Sequence, residues 1–180
     1  TVERSAMIRA RCPVVTSVAR HVANVRVRNV GTVGGNLAFA DPHSDLATLF
    51  LALDATVELV SPRGRRAIAL DDFVRGPWDT ARAADELLAA VTVTPWRGQT
   101  AAAYVKFGMY ERPTLGIAVA LQVDASGGRA RVADARIAIG CVNPRPARAH
   151  EAEARLRGCD VAAIEDVARE VAARAAAGAD

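Results

Sequence analysis

Three β-segments in succession, residues 100–107, 115–123 and 131–141, are followed by two helical segments at 149–156 and 164–177, and this order limits what the chain can fold into. Ser126-Gly127-Gly128 separates the second and third runs as a hairpin turn, and Asn143-Pro144-Arg145-Pro146 ends the sheet. A three-stranded antiparallel sheet needs a cover for its apolar face. The last helix offers one, with Ile164, Val167, Ala168 and Val171 on one stripe, and Gly158 falls just past the helix before it. Strands followed by paired helices predict an α+β fold with the sheet covered on one side.

Upstream, periodicity predicts helices over 3–11, stopping near Pro13, and 14–22, with Val14, Val15, Val18, Ala19 and Val22 at helical spacing. His21 lies beside that stripe and reads as helix surface or packing. A third helix, 44–53, should bury Leu46, Leu49, Phe50 and Leu53, with Ser44 or Asp45 near its N-cap. Strands over 56–60 and 67–70 form a hairpin around Ser61-Pro62-Arg63-Gly64. Asp71-Asp72-Phe73 begins a helical turn, a loop runs on from Gly76-Pro77, and a strand over 88–94 ends at Pro95. Trp96-Arg97-Gly98 is the expected boundary between two units, 1–98 and 99–180.

Composition excludes several classes. With 51% hydrophobic and 24% charged residues among 180, the chain can bury a proper core. Its net charge of +3 is carried by arginine, since Lys106 is the only lysine. The densest basic run, Arg63, Arg65 and Arg66, has few aromatics beside it to stack on bases, so nucleic-acid binding is not expected. No apolar run reaches the ~18 residues that span a bilayer, and the first residues lack a signal pattern, which predicts a cytoplasmic protein. Cys12, Cys141 and Cys159 are far apart, without metal-ligand spacing, and read as small hydrophobes. No nucleophile is paired with a base, so no catalytic residue and no metal site is expected in this chain.

The stretch Arg28-Asn29-Val30-Gly31-Thr32-Val33-Gly34-Gly35-Asn36, followed by Asp41-Pro42, holds three glycines within five residues. They predict positive φ angles that let successive N–H groups converge on an anion. The spacing matches neither a P-loop nor a Rossmann turn. By itself it fits a glycine-rich turn or bulge equally well.

These residues, with Val25-Arg26-Val27 before them and Asp45 after, resemble the second FAD-binding motif of the molybdenum hydroxylase flavoproteins: the medium subunits of carbon monoxide dehydrogenase-like enzymes and the FAD domain of xanthine dehydrogenase. The resemblance continues through Asp72-Phe73-x-x-Gly76, Asp85-Glu86-Leu87-Leu88, Tyr104-Val105-Lys106-Phe107, Ala135-Arg136-Ile137-Ala138-Ile139-Gly140, Pro146-x-Arg148 and Glu153-x-x-Leu156-x-Gly158. It implies that Thr32, Val33, Gly34, Gly35 and Asn36 wrap the FAD pyrophosphate and that Asp45 accepts a hydrogen bond from the cofactor. It also implies that Leu88 approaches the flavin and that Lys106 reaches the isoalloxazine edge, where a cation favours anionic reduced forms. The implied protein is an electron-transfer subunit. A molybdenum-containing large subunit oxidises the substrate, [2Fe-2S] clusters in an iron–sulfur small subunit relay electrons, and FAD passes them to quinone, NAD or dioxygen.

The family also has an earlier loop, roughly Ala-Gly-Gly followed by Ser or Thr, which clasps the other side of the pyrophosphate. No such loop precedes Arg28, so the FAD-binding part is expected to be N-terminally truncated. An aromatic of the family near the flavin has only Tyr110 as a counterpart, and Tyr110 is assigned no role. The rival reading is a scaffold module in which the glycines form only a turn and the second half is a subunit interface.

Overall fold

The computed structural model describes all residues except 95, 97, 109–112 and 178–180. Pro95 as a strand end, Arg97 of the expected boundary, and Tyr110 lie outside the described residues. A 3₁₀ turn (Val2–Arg4) leads into α1 (Ala6–Arg11), α2 (Pro13–His21), α3 (Val25–Val30), α4 (Val33–Phe39) and α5 (Asp45–Ala52). Pro13 begins α2 rather than merely ending α1, because its missing N–H costs nothing at the first helical position. Ser44 caps α5 by accepting the Ala47 N–H at 3.0 Å, which leaves Asp45 as the first helical residue.

Strands β1 (Thr56–Ser61) and β2 (Gly64–Ala69) form the expected hairpin, and β5 (Leu87–Thr92) pairs with the other edge of β1. Between them lie the helical turn α6 (Leu70–Phe73) and a small hairpin of β3 (Val74–Gly76) and β4 (Asp79–Thr80), where the sequence suggested only loop. The second half contains β6 (Gln99–Phe107), β7 (Leu115–Asp124), β8 (Arg131–Gly140) and β9 (Ala147–Arg148), then α7 (His150–Leu156), a 3₁₀ turn (Val161–Ala163) and α8 (Ile164–Ala176). The antiparallel order is β6-β7-β8-β9. The sheet therefore does not end at Asn143-Pro144-Arg145-Pro146: the chain turns there and returns, pairing Ala147 with Ile139 and Arg148 with Ala138.

The sheet is covered on both faces, not one. On β7, Ala118 and Ala120 join the core built on α2, α4, α5 and β1. The alternate residues Ile117, Val119 and Leu121 join Ile137, Ile139, Leu156 and the α8 stripe in a second core. The reason is size. A helix comes close to a sheet only where the strand residues are small, and α5 lies over Ala118, Ala120, Ala138 and Gly140. A Cβ at Gly140 would run into the Thr48 hydroxyl of α5. On α8, Ile164, Val167 and Val171 pack inward as expected, but Ala168 is exposed and Ala175 is buried instead.

Arg136 and Arg148 tie the two halves together. Both reach Asp54, at the end of α5, and the Arg136 guanidinium lies 4.2 Å from the centre of the Trp96 ring. Asp45, at the start of the same helix, is thereby held against the sheet that carries Lys106.

Candidate functional site

The glycine stretch is a helix–turn–helix. Asn24 caps α3 through its Oδ1, which accepts from Arg26 and Val27 N–H. The Arg28 side chain donates to the carbonyls of Val22 and Ala23, both at 2.9 Å, and so holds the turn between α2 and α3. Thr32 then caps α4, its Oγ1 accepting the Gly35 N–H at 2.9 Å while its carbonyl accepts from Asn36 at 3.0 Å. Gly34 and Gly35 thus lie in the first turn of a helix, and neither they nor Gly31 takes a positive φ. The expected left-handed loop is replaced because Thr32 is a strong N-cap and draws the glycines into helical conformation. Converging N–H groups survive the change. Among the described residues, the N–H groups of Val33 and Gly34 have no protein acceptor and point out of the helix start.

Gly34 is needed for a close approach. A Cβ there would lie 3.1 Å from the Leu88 carbonyl oxygen, so α4 touches β5 at the point where Leu88 sits. Val33, Gly34 and Leu88 line a mostly apolar cleft of about 500 Å³, with Met7, Ile8 and Phe50 on its walls and Arg11 as its one charged lining residue among the described residues. The turn leading into Leu88 is clamped by Glu86, which is 6% exposed. Arg66 Nε and Nη2 donate to its two carboxylate oxygens at 2.6 and 2.8 Å, and the Ala83 N–H donates at 2.7 Å. The Arg66 hydrogen bond first, then the Ala83 N–H, holds the Glu86 carboxyl down at about 2. A carboxylate whose folded pKa is depressed stabilises the fold above its ordinary pKa of about 4.3, and that stabilisation is lost as pH falls through the folded value. Glu86→Gln is accordingly expected to lower the urea midpoint at neutral pH, with the gap to the native protein narrowing as pH drops from about 5 toward 2. A gap independent of pH would show that the charge of Glu86 does not hold the turn.

On the other side of α4, Asn36 Oδ1 accepts from the Ser44 hydroxyl at 2.6 Å, which joins the glycine segment to the start of α5. The next residue, Asp45, is 5% exposed. Its Oδ1 accepts from the Tyr104 hydroxyl at 2.6 Å and its Oδ2 from Lys106 Nζ at 3.1 Å. Lys106 also donates to the His21 carbonyl at 2.8 Å, at the end of α2. Burial, reinforced by the hydrogen bond and charge of Asp45, pushes the Tyr104 phenol well above its ordinary range. Burial, then the charges of Asp45 and Asp41, pushes the nearby Cys141 thiol up to about 11, as suits an inert thiol.

The structure thus places Val33, Gly34 and Leu88 along one cleft, and brings Asn36 to Ser44 at the start of α5, where the next residue, Asp45, pairs with Lys106. Sequence reasoning missed Tyr104 and the Glu86 clamp. Tyr104 was legible in one respect: residues i and i+2 of a strand share a face, so it stands beside Lys106. His21 contributes a backbone oxygen, while its exposed ring caps the Ser17 carbonyl at 2.8 Å. Among the described residues, no group of three or more His, Cys, Asp or Glu is placed to hold a metal ion.

Comparison with known proteins shows which family the chain resembles. Residues 1–96 match the family model of the FAD binding domain in molybdopterin dehydrogenase, and residues 97–180 match that of the CO dehydrogenase flavoprotein C-terminal domain. The nicotine 6-hydroxylase medium subunit of Paenarthrobacter nicotinovorans is 33% identical over 166 residues, 89% of this chain and 56% of that protein. The carbon monoxide dehydrogenase medium chain of Hydrogenophaga pseudoflava is 31% identical over 156 residues, 86% of this chain and 53% of that one. The structure of carbon monoxide dehydrogenase from Hydrogenophaga pseudoflava lacking the Mo-pyranopterin moiety superposes with a TM-score of 0.90 at 32% identity, covering 100% of this chain and 63% of its counterpart. Quinoline 2-oxidoreductase from Pseudomonas putida 86 gives 0.87 at 28%, covering 98% and 60%.

The chain belongs to the family of FAD-binding flavoproteins of the molybdopterin dehydrogenases. It spans about half the length of the curated relatives it matches. The residues present fit the cofactor: two free N–H donors suit a pyrophosphate, and the space outside Gly35 is open apart from the Thr32 hydroxyl. The family match does not favour a scaffold module.

Proposed function

We propose that the chain is the FAD-holding electron-transfer part of the medium subunit of a molybdenum hydroxylase-type oxidoreductase. The observation that carries the reading is that Gly34 with Leu88, and Asn36 with Ser44, meet around α4 within the segment 1–96 that matches the FAD-binding family, while Lys106 from the following segment reaches Asp45 beside them. In this reading Thr32, Val33, Gly34, Gly35 and Asn36 hold the pyrophosphate, the backbone N–H groups of Val33 and Gly34 donating to it. Asp45, buried with its two oxygens taken by Tyr104 and Lys106, acts through the lysine rather than by accepting from a cofactor hydroxyl, Leu88 supports the flavin, and Lys106 supplies positive charge at the isoalloxazine. Bound there, FAD supplies the passage from single-electron to two-electron transfer. This chain binds, orients and sets the local field.

The partners are a molybdenum-containing large subunit and an iron–sulfur small subunit, as in the multi-subunit organisation the resemblance implies. Two units, 1–98 and 99–180, divide the work, a division supported by the meeting of the two family matches at 96 and 97. In this reading the protein works in the cytoplasm. Among the described residues no helix is long and apolar enough to cross a membrane. Expressed from its complete reading frame, the protein is expected to purify yellow, to show bound-flavin absorption, and to bring down a molybdenum-bearing and an iron–sulfur subunit. A colourless protein indifferent to added FAD overturns the reading.

A further inference from the structure

We propose that Tyr104 is a positioning residue for the flavin: by occupying one oxygen of Asp45, its hydroxyl keeps one N–H of Lys106 available to the cofactor. The proposal rests on the FAD reading above. It starts from a count of donors and acceptors. An ammonium has three N–H donors. Among the described residues, Lys106 spends one on Asp45 Oδ2 at 3.1 Å and one on the His21 carbonyl at 2.8 Å, leaving one. The side chain is 29% exposed, so the remaining donor has a way out of the protein.

The carboxylate is the competitor. Asp45 is 5% exposed and cannot turn to water for a second donor. Tyr104 meets that need at Oδ1, at 2.6 Å, and has no other described partner. Its place is fixed from three sides. The register of β6 puts it opposite Ala118, two residues from Lys106 on the same face. Residue 116, opposite Lys106, is a glycine, and a Cβ there would occupy the position of the phenol oxygen. The Tyr104 ring also packs against the first core, beside α5.

Without the hydroxyl, Asp45 Oδ1 is buried with no donor; the thiol of the nearby Cys141 is only a weak one, and the Lys106 ammonium, already on Oδ2, is the charged group able to supply a strong one. A charged, buried acceptor left unsatisfied is costly, so the ammonium swings to serve both oxygens and its free N–H is withdrawn. Tyr104 thus acts through Lys106 and does not itself touch the flavin.

The test uses the FAD-loaded full-length protein and its Tyr104→Phe, Lys106→Met and double variants, read by FAD titration and by the flavin midpoint potential. Tyr104→Phe is expected to weaken FAD binding about tenfold, the equivalent of one good hydrogen bond, and to shift the potential negative as positive charge leaves the ring. Lys106→Met shifts it negative as well, and adding Tyr104→Phe to Lys106→Met moves neither quantity further. A Tyr104→Phe effect that persists undiminished without the lysine overturns the proposal, as does a potential unchanged in Tyr104→Phe that still binds FAD. A native protein that takes up no FAD instead removes the functional reading, and this inference with it.

Discussion

Replacing Glu153 with alanine is expected to destabilise the protein by about 3–5 kcal/mol, measured by chemical denaturation. Glu153 sits on α7 with 0% exposure and is the acceptor for groups from three elements. Its Oε1 accepts the Ile137 N–H of β8 at 2.9 Å and Arg148 Nε of β9, and its Oε2 faces His150 Nδ1 at 3.1 Å. Burial pushes its carboxyl up, but the hydrogen bonds from Arg148 and from the Ile137 N–H more than offset this, and the net shift is downward. Alanine would strand a strand N–H and the Arg148 guanidinium, whose side chain is 11% exposed, leaving the latter only the half-exposed Asp54. Glu153→Gln keeps an acceptor and should lose less, about 1.5–3 kcal/mol. Equal losses for the two variants would mean that packing, not the carboxylate, joins α7 to the sheet.

The same residues show what the sequence revealed. The Ser44 cap, the hairpin at Pro62-Arg63 and the three long strands were legible because each depends on neighbours within a few positions: a cap hydroxyl, a turn proline, a period of two. The double-sided sheet was harder to see. In Leu115-Gly116-Ile117-Ala118-Val119-Ala120-Leu121 every residue is apolar or glycine, so polarity does not mark two faces. Size does: the large residues face α7 and α8, the small ones α5. The glycines misled for another reason. Three glycines in five residues suggest positive φ, but Thr32 is an N-cap, which makes Gly34 and Gly35 helical, and that role depends on Gly35 lying three residues on. The contacts of Asp45 span 59 and 61 residues, and no local pattern announces a bond of that length.

Gly35→Val separates the role of the glycines in folding from their role in binding. A side chain at Gly34 would press on the Leu88 carbonyl at 3.1 Å and push α4 away from β5, so a variant there confuses the two. At Gly35 the atom that a new Cβ would meet among the described residues, outside the backbone of α4 itself, is the Thr32 hydroxyl, at 3.0 Å, the end of a side chain that can turn aside. The loss is then at most one N-cap, about 1 kcal/mol, part of which is regained because valine is a better helix former than glycine. Binding has no such compensation. If the pyrophosphate rests on the N–H groups of Val33 and Gly34, a branched side chain on the next residue stands in its path, and FAD affinity should fall by at least about a hundredfold, or 2.8 kcal/mol. The expected result is a variant with a denaturation midpoint close to native and no bound flavin. Retention of FAD at native affinity would place the pyrophosphate elsewhere and leave the start of α4 as a structural joint alone.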